Sequence, residues 1–292
     1  MSSKKSIKQL DKEGFKAYLE RFLPNVMSLF KAADSDLLLL FERFESRYAF
    51  YEEQLSKAPD FFIENSLIDL IWFAEEGRKF ALDYLAFIDS QCSTIIQHVD
   101  EQRLLEFRPM MKNLFLNFDN QNSRIQSYVG EMCVIAKLVG SKKFRLISVE
   151  SRLDNGNEID FLLSDGERNY LVEVENIDIS GWKVDSQEKV KDFIWTRANR
   201  KADKKFAGAT VPENTSFMLA QVLWGDLEKL IPYQDVFRKG ELFGSVVALP
   251  MYVSHLVDQN TKKEIYAFIP VVEAIEMKKR RTANIKFERD SR

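Results

Sequence analysis

The spacing of apolar residues changes near residue 120, and no single type of secondary structure accommodates both patterns. Before that point apolar residues recur at steps of three and four. Leu37, Leu40, Phe41, Phe44, Tyr48, Tyr51 and Leu55 form one such stripe, opened by the capping residues Asp34-Ser35-Asp36. That spacing lines one face of a helix. Beyond it stand short runs with two-residue alternation. Glu158–Leu163 and Asn169–Ile177 flank the turn signal Ser164-Asp165-Gly166, which is the pattern of a hairpin. The expected architecture is therefore α+β or α/β: a helical domain over 1–119, then a domain over 120–292 with a mixed central sheet flanked by helices.

The remaining elements follow the same signals. Pro59-Asp60 breaks the first helical stretch, Phe61–Ile88 continues it, and Pro109 marks a further boundary. A helix is expected from Asn122 or Ser123 to Gly140, a natural C-cap. Phe144–Glu150 reads as a strand. Asp185 with Glu188 suggests a capping box for a helix to Phe206, whose apolar stripe is Val190, Phe193, Ile194, Ala198, Ala202 and Phe206. Ser216–Trp224 and Phe243–Val253 read as strands, Asp226–Phe237 as a helix, Ile265–Val272 as a last strand, and a basic tail follows. The helical half could bind a protein partner or a second copy of the chain; an ordinary self-contained bundle needs the same stripe.

Composition narrows the chemistry. Only two His and two Cys occur in 292 residues, so a His-rich metal site, a Cys zinc site and a disulfide scaffold are not expected. No Gly-rich phosphate loop, dinucleotide fingerprint or Gly-x-Ser-x-Gly elbow is present. The net charge of −3 is not that of a nucleic-acid coat protein, so any such contact needs a local basic patch. No apolar run reaches membrane-span length and no signal-peptide pattern opens the chain, which gives a cytoplasmic expectation without membrane partners.

Four acids stand where acids are costly. Glu131 is the one acid in the nearly all-apolar stretch Tyr128–Val139. Asp160 sits in the strand Glu158–Leu163, and Glu173 and Glu175 share one face of Tyr170–Asn176. Buried carboxylates need a partner or a cation, and like charges on one strand face repel unless screened. A solvated hairpin face would explain the pair on one strand equally well.

Taken together, Glu131, Ile159-Asp160 and Val172-Glu173-Val174-Glu175 resemble the PD-(D/E)XK nuclease superfamily, the restriction-endonuclease-like group. The order helix, strand, hairpin, helix, strand over about 120–225 matches as well. The departure is Glu175, where the motif usually has Lys; a Lys on the following helix, such as Lys189, is a candidate replacement. The resemblance implies a Mg²⁺- or Mn²⁺-dependent endonuclease acting on DNA, with RNA as an alternative. It makes Asp160, Glu173 and the Val174 carbonyl the metal ligands, with Glu131 holding a metal-bound water or second ion. Glu175 would orient or deprotonate the attacking water. Lys191, Arg197, Arg200, Lys201, Lys204 and Lys205 on the next helix would contact phosphates. The missing Lys leaves open an inactive nucleic-acid-binding module of the same fold, and an interaction scaffold is the third possibility.

Overall fold

A computed structural model of the chain describes residues 11–57, 67–116, 125–183, 185–211, 213–238, 242–243, 246–257 and 264–290. The helical and sheet regions separate as expected, a mixed α/β architecture with helices first. By packing, the chain forms two compact units, Met1–Gly140 with Val257–Ile265, and Ser141–Leu256 with Tyr266–Arg292. The expected boundary at 119/120 and the Pro59-Asp60 break lie outside the described residues.

The first unit contains α1 (Lys12–Phe22), α2 (Pro24–Phe30), α3 (Asp34–Lys57), α4 (Leu67–Glu75), α5 (Lys79–His98), α6 (Glu101–Leu104), α7 (Arg108–Leu116) and α8 (Ile125–Gly140). Local chemistry sets the boundaries. Asp11 caps α1 by accepting from the Gly14 amide at 2.8 Å, and Pro24 opens α2, where its missing N–H costs nothing. Asp89, from α5, accepts from the Asn25 and Val26 amides at 2.8 and 3.1 Å and so caps α2 from outside. Of the stripe read from α3, Leu37, Leu40 and Phe44 are buried and Phe41 is half-buried, while Tyr48, Tyr51 and Leu55 lie outside the residues whose side chains are described. Cys92 and Cys133 are both free and buried, which matches the absence of a disulfide framework.

The second unit is built on β1 (Arg145–Arg152), β2 (Glu158–Ser164), β3 (Asn169–Asp178), β4 (Thr215–Trp224), β5 (Leu242–Phe243), β6 (Val246–Val257) and β7 (Glu264–Pro270). They form one sheet in the order β1-β2-β3-β4-β6-β5, with β7 also on β6. β2 pairs antiparallel with both β1 and β3; β3, β4 and β6 run parallel. Between β3 and β4 lies the crossover that parallel pairing demands: α9 (Gln187–Lys191), one π-helical segment (Asp192–Thr196) and α10 (Arg197–Phe206). The cap of this crossover is Ser186, which accepts from the Lys189 amide at 3.2 Å, and not Asp185. After β4 the expected helix is a 3₁₀ segment (Leu227–Tyr233) running into α11 (Gln234–Arg238). The C-terminal region, read as a strand and basic tail, becomes β7 and a helix, α12 (Val271–Asp290).

The crossover covers one sheet face. On that face Leu171, Phe217, Leu219 and Ile159 pack with Ala198 and Ala202 of α10. Further along, Ile177 and Leu223 pack with Val190, Ile194 and Trp195. Glu173 and Glu175 fall between these two apolar clusters, because strand alternation puts them on the face of Leu171 and Ile177.

Candidate active site: acids of the hairpin beneath a ladder of cations

Register brings the acids together. The β2–β3 ladder pairs Leu163 with Tyr170 and Phe161 with Val172, then lapses. Where it lapses, the Val174 amide donates to Asp160 Oδ2 at 2.6 Å instead of to a strand carbonyl. Asp160 is thereby held toward Glu173. On the other side β3 pairs with β4, Glu173 opposite Leu219 and Glu175 opposite Gln221.

The cations come from α10. Ala198 and Ala202 form its buried stripe, and residues one position earlier lie about 100° around the helix, at the edge of the covered face. Those residues are Arg197, Lys201 and Lys205, spaced by four. Arg197 clasps Glu175 with two bonds, Nε to Oε2 at 2.8 Å and Nη2 to Oε1 at 2.6 Å. Lys201 Nζ lies 3.3 Å from Glu173 Oε1 and 3.9 Å from Glu175 Oε1. Lys205 Nζ lies 3.0 Å from Glu173 Oε1 and donates to the Glu158 carbonyl at 2.6 Å. The ladder therefore bridges β2 and β3 from above.

Burial gives the site unmet electrostatic demands. Glu173 is 7% exposed, and its Oε2 lacks a hydrogen-bond partner although Oε1 has two ammonium neighbours. Asp160 is pushed up to about 6, chiefly by burial and secondarily by the Glu173 charge. Gln221 is wholly buried. Its Nε2 donates to the Ile194 carbonyl at 3.1 Å and lies 3.5 Å from that of Phe193, while its Oε1 is unpaired. Both carbonyls belong to the π-helical segment. Such segments displace backbone groups from the regular ladder and recur at functional sites.

Several expectations change. Arg197, Lys201 and Lys205, expected to contact phosphates, face the acids. Lys191, Arg200 and Lys204 are exposed, with Arg200 paired to Asp192 at 3.2 Å. Lys189 pairs with Asp185 at 2.6 Å, both side chains exposed. The lysines beside Glu173 are Lys201 and Lys205. Glu175 is committed to Arg197, which binds both its oxygens. Glu131 stands on α8, in the first unit. Among the described residues, no three His, Cys, Asp or Glu side chains form a group that could hold a metal ion. The sequence did carry a signal for the cations, since they flank the Ala198–Ala202–Phe206 stripe at four-residue spacing. Gln221 was also visible as the lone polar residue within Phe217–Trp224.

No family model matches the chain, and no curated protein matches it. Among solved structures it is similar to Pyrococcus furiosus SfsA in complex with Ca²⁺, at 14% identity and a TM-score of 0.24, covering 52% of this chain and 66% of that one. The match thus spans just under two thirds of the SfsA chain, and a likeness at that score bears on neither fold nor chemistry. No helix among the described residues is long and apolar enough to cross a membrane.

Proposed function

We propose that the sheet-containing unit is a metal-dependent endonuclease that hydrolyses DNA phosphodiester bonds, with RNA as the alternative substrate. The observation that carries this reading is the placement of Asp160 and Glu173 side by side under Lys201 and Lys205. Two adjacent hard-oxygen donors with a backbone carbonyl suit Mg²⁺ or Mn²⁺, which take one or two carboxylates and complete their shell with water and phosphate. The unpaired, buried Glu173 Oε2 supports this fit, because it is acceptor capacity without a protein donor. When bound, the ion neutralises phosphate charge and lowers the pKa of its water.

In this reading Asp160 and Glu173 hold the ion with the Val174 carbonyl. Lys201 and Lys205 meet the charge that builds on the phosphate, the work of the Lys that Glu175 replaces. Arg197 fixes Glu175, and Glu175 in turn steadies the Lys201 ammonium. Lys191, Arg200 and Lys204 serve the flanking phosphates. Incubation with DNA and Mg²⁺ or Mn²⁺ tests this directly. Asp160→Ala and Glu173→Ala are each expected to lower the cleavage rate on the order of a thousandfold, the scale of losing one directly acting group. Cleavage that survives both would remove the site from consideration, and Glu131→Ala in the same assay decides whether α8 contributes.

One observation favours a second reading, the non-catalytic nucleic-acid-binding module. Glu173 and Glu175 already have cationic partners, so the site is electrically satisfied in part without an added ion. That reading predicts salt-dependent DNA binding with no cleavage under either metal.

A further inference from the structure

Beside the acids, the second unit has a cavity of about 530 Å³, within the usual size range of small-molecule sites. Trp182 and Phe193 pack edge to face in its wall, and Val190 is buried beneath. Lys183 stands exposed at its rim; Lys189 there pairs with Asp185 at 2.6 Å, and Asp192, which also lines the cavity, pairs with Arg200 at 3.2 Å. Phe193 joins this cavity to the acid site, because the Arg197 guanidinium that clasps Glu175 lies over its ring at 4.8 Å.

The Trp182 loop is held in place. The Ser180 amide donates to Asp178 Oδ1 at 2.8 Å, and the Trp182 amide to the Ile179 carbonyl at 3.1 Å. Lys229 donates to the Ser180 carbonyl. Gly225, at φ +99, lets the chain pass so closely that a Cβ there would clash with Ser180 Oγ. A half-buried indole on a pinned loop pays little ordering cost when a flat partner stacks on it. Flat aromatic surface at the centre with ammonium groups at the edge is the chemistry of an unpaired nucleotide: π-face to π-face, phosphate to cation.

We infer that this cavity is a base-binding subsite, in which one unstacked base of a single-stranded nucleic-acid segment lies against Trp182 while Lys183 meets a neighbouring phosphate. The inference rests on the nuclease reading for the identity of the strand, and not for the pocket's own binding chemistry. It places an unpaired nucleotide next to the scissile phosphate, so the substrate is single-stranded or locally opened DNA.

The test measures equilibrium binding of the full chain to a short single-stranded oligodeoxynucleotide with a fluorescent adenine analogue at its centre, in chelator. Stacking quenches the analogue. Wild type is expected to bind with quenching. Trp182→Ala is expected to weaken binding about tenfold and abolish the quench, and Trp182→Phe to restore most of both. Lys183→Ala is expected to reduce the salt slope by about one. Unchanged affinity and quench in Trp182→Ala would overturn the inference, as would a wild type that does not bind. Loss of a dimer in Trp182→Ala, seen by sedimentation, would likewise overturn it by making the pocket an interface between copies. The two readings fail separately: binding with quench but without metal-dependent cleavage leaves the subsite standing and removes the nuclease.

Discussion

The two units treat buried carboxylates differently. In the helical unit Asp69 is wholly buried and bonded to Arg47 through both oxygens, at 3.2 and 3.3 Å. Asp36 is bonded to Arg108 at 2.8 Å and Lys112 at 2.7 Å, and these bonds, led by Lys112, hold it down to about 2. Asp89 caps α2 with both oxygens occupied. Asp83 is the exception, with one oxygen unpaired. In the sheet unit Asp160 is raised to about 6, and Glu173 leaves an oxygen without a partner between two apolar clusters. Asp83 apart, these acids are settled in the helical unit, whereas in the sheet unit Asp160 is held above its ordinary range and Glu173 keeps one oxygen unmet. Folding alone selects for the first condition; a site that must receive a cation or a charged substrate requires the second.

The sharpest way to break this contrast is to remove a settled acid. Asp69→Ala removes the carboxylate bonded to Arg47, which is 5% exposed, and is expected to cost about 3–5 kcal/mol in a denaturant titration. Cleavage per folded molecule should not change. A loss of cleavage at full stability would mean that Asp69 is not the structural group its pairing indicates.

Asp160 should behave in the opposite sense. Its folded-state pKa lies above the ordinary 3.8, so folding is relatively favoured while it is protonated. That contribution is complete below about 3.8 and disappears as the pH rises through about 6. At pH 7 the ionised group costs about 2–3 kcal/mol. In metal-free buffer, Asp160→Asn is therefore expected to be more stable than wild type at pH 7 by about that amount, and the gap should close toward pH 4. Cleavage by wild type should rise through the same interval, as the ligand ionises. Parallel stability curves for the two proteins would show that burial does not act on Asp160 as its surroundings indicate.

Much of this arrangement is legible in the sequence. Alternation placed Glu173 and Glu175 on one face, and the Ser164-Asp165-Gly166 turn set Asp160 across from them; both follow from local rules of strand and turn. Misreadings arose where a contact between distant segments decides. Which of the cations on the crossover turn inward depends on the stripe Ala198, Ala202 and Phe206 docking on β3 and β4, with the π-helical segment lying between α9 and α10. Grouping Arg197 and Lys201 with Arg200 and Lys204 ignored that docking. The C-terminal helix was read as a tail because its charge outweighed the short apolar set Val271, Ala274 and Ile275, which is buried in the core cluster of the sheet unit. Gln221 went unremarked because one amide in an apolar strand carries no motif; its role depends on carbonyls of the π-helical segment that sequence does not reveal.

The smallest effects lie on the outer side of the crossover, and they decide where a strand would run. Lys191, Arg200 and Lys204 are exposed, and the Arg200–Asp192 pair, with its side chains 71% and 57% exposed, contributes little to stability. Replacing each by Ala should leave the denaturation midpoint unchanged within experimental scatter. Each one that meets a phosphate should, when replaced, lower the salt slope of DNA binding by about one and weaken binding equally for all sequences. The pattern among the three is informative because they occupy different places, Lys191 at the end of α9 beside the Trp182 cavity, Arg200 and Lys204 along the outer side of α10. A reduced slope for Lys191 alone would carry the strand from the acids toward Trp182, whereas reduced slopes for Arg200 and Lys204 alone would carry it over α10 and away from that cavity. A slope untouched by all three would confine phosphate contact to the inner ladder and Lys183, and the cations that neutralise Glu173 and Glu175 in the resting protein would then also be ones that receive the substrate.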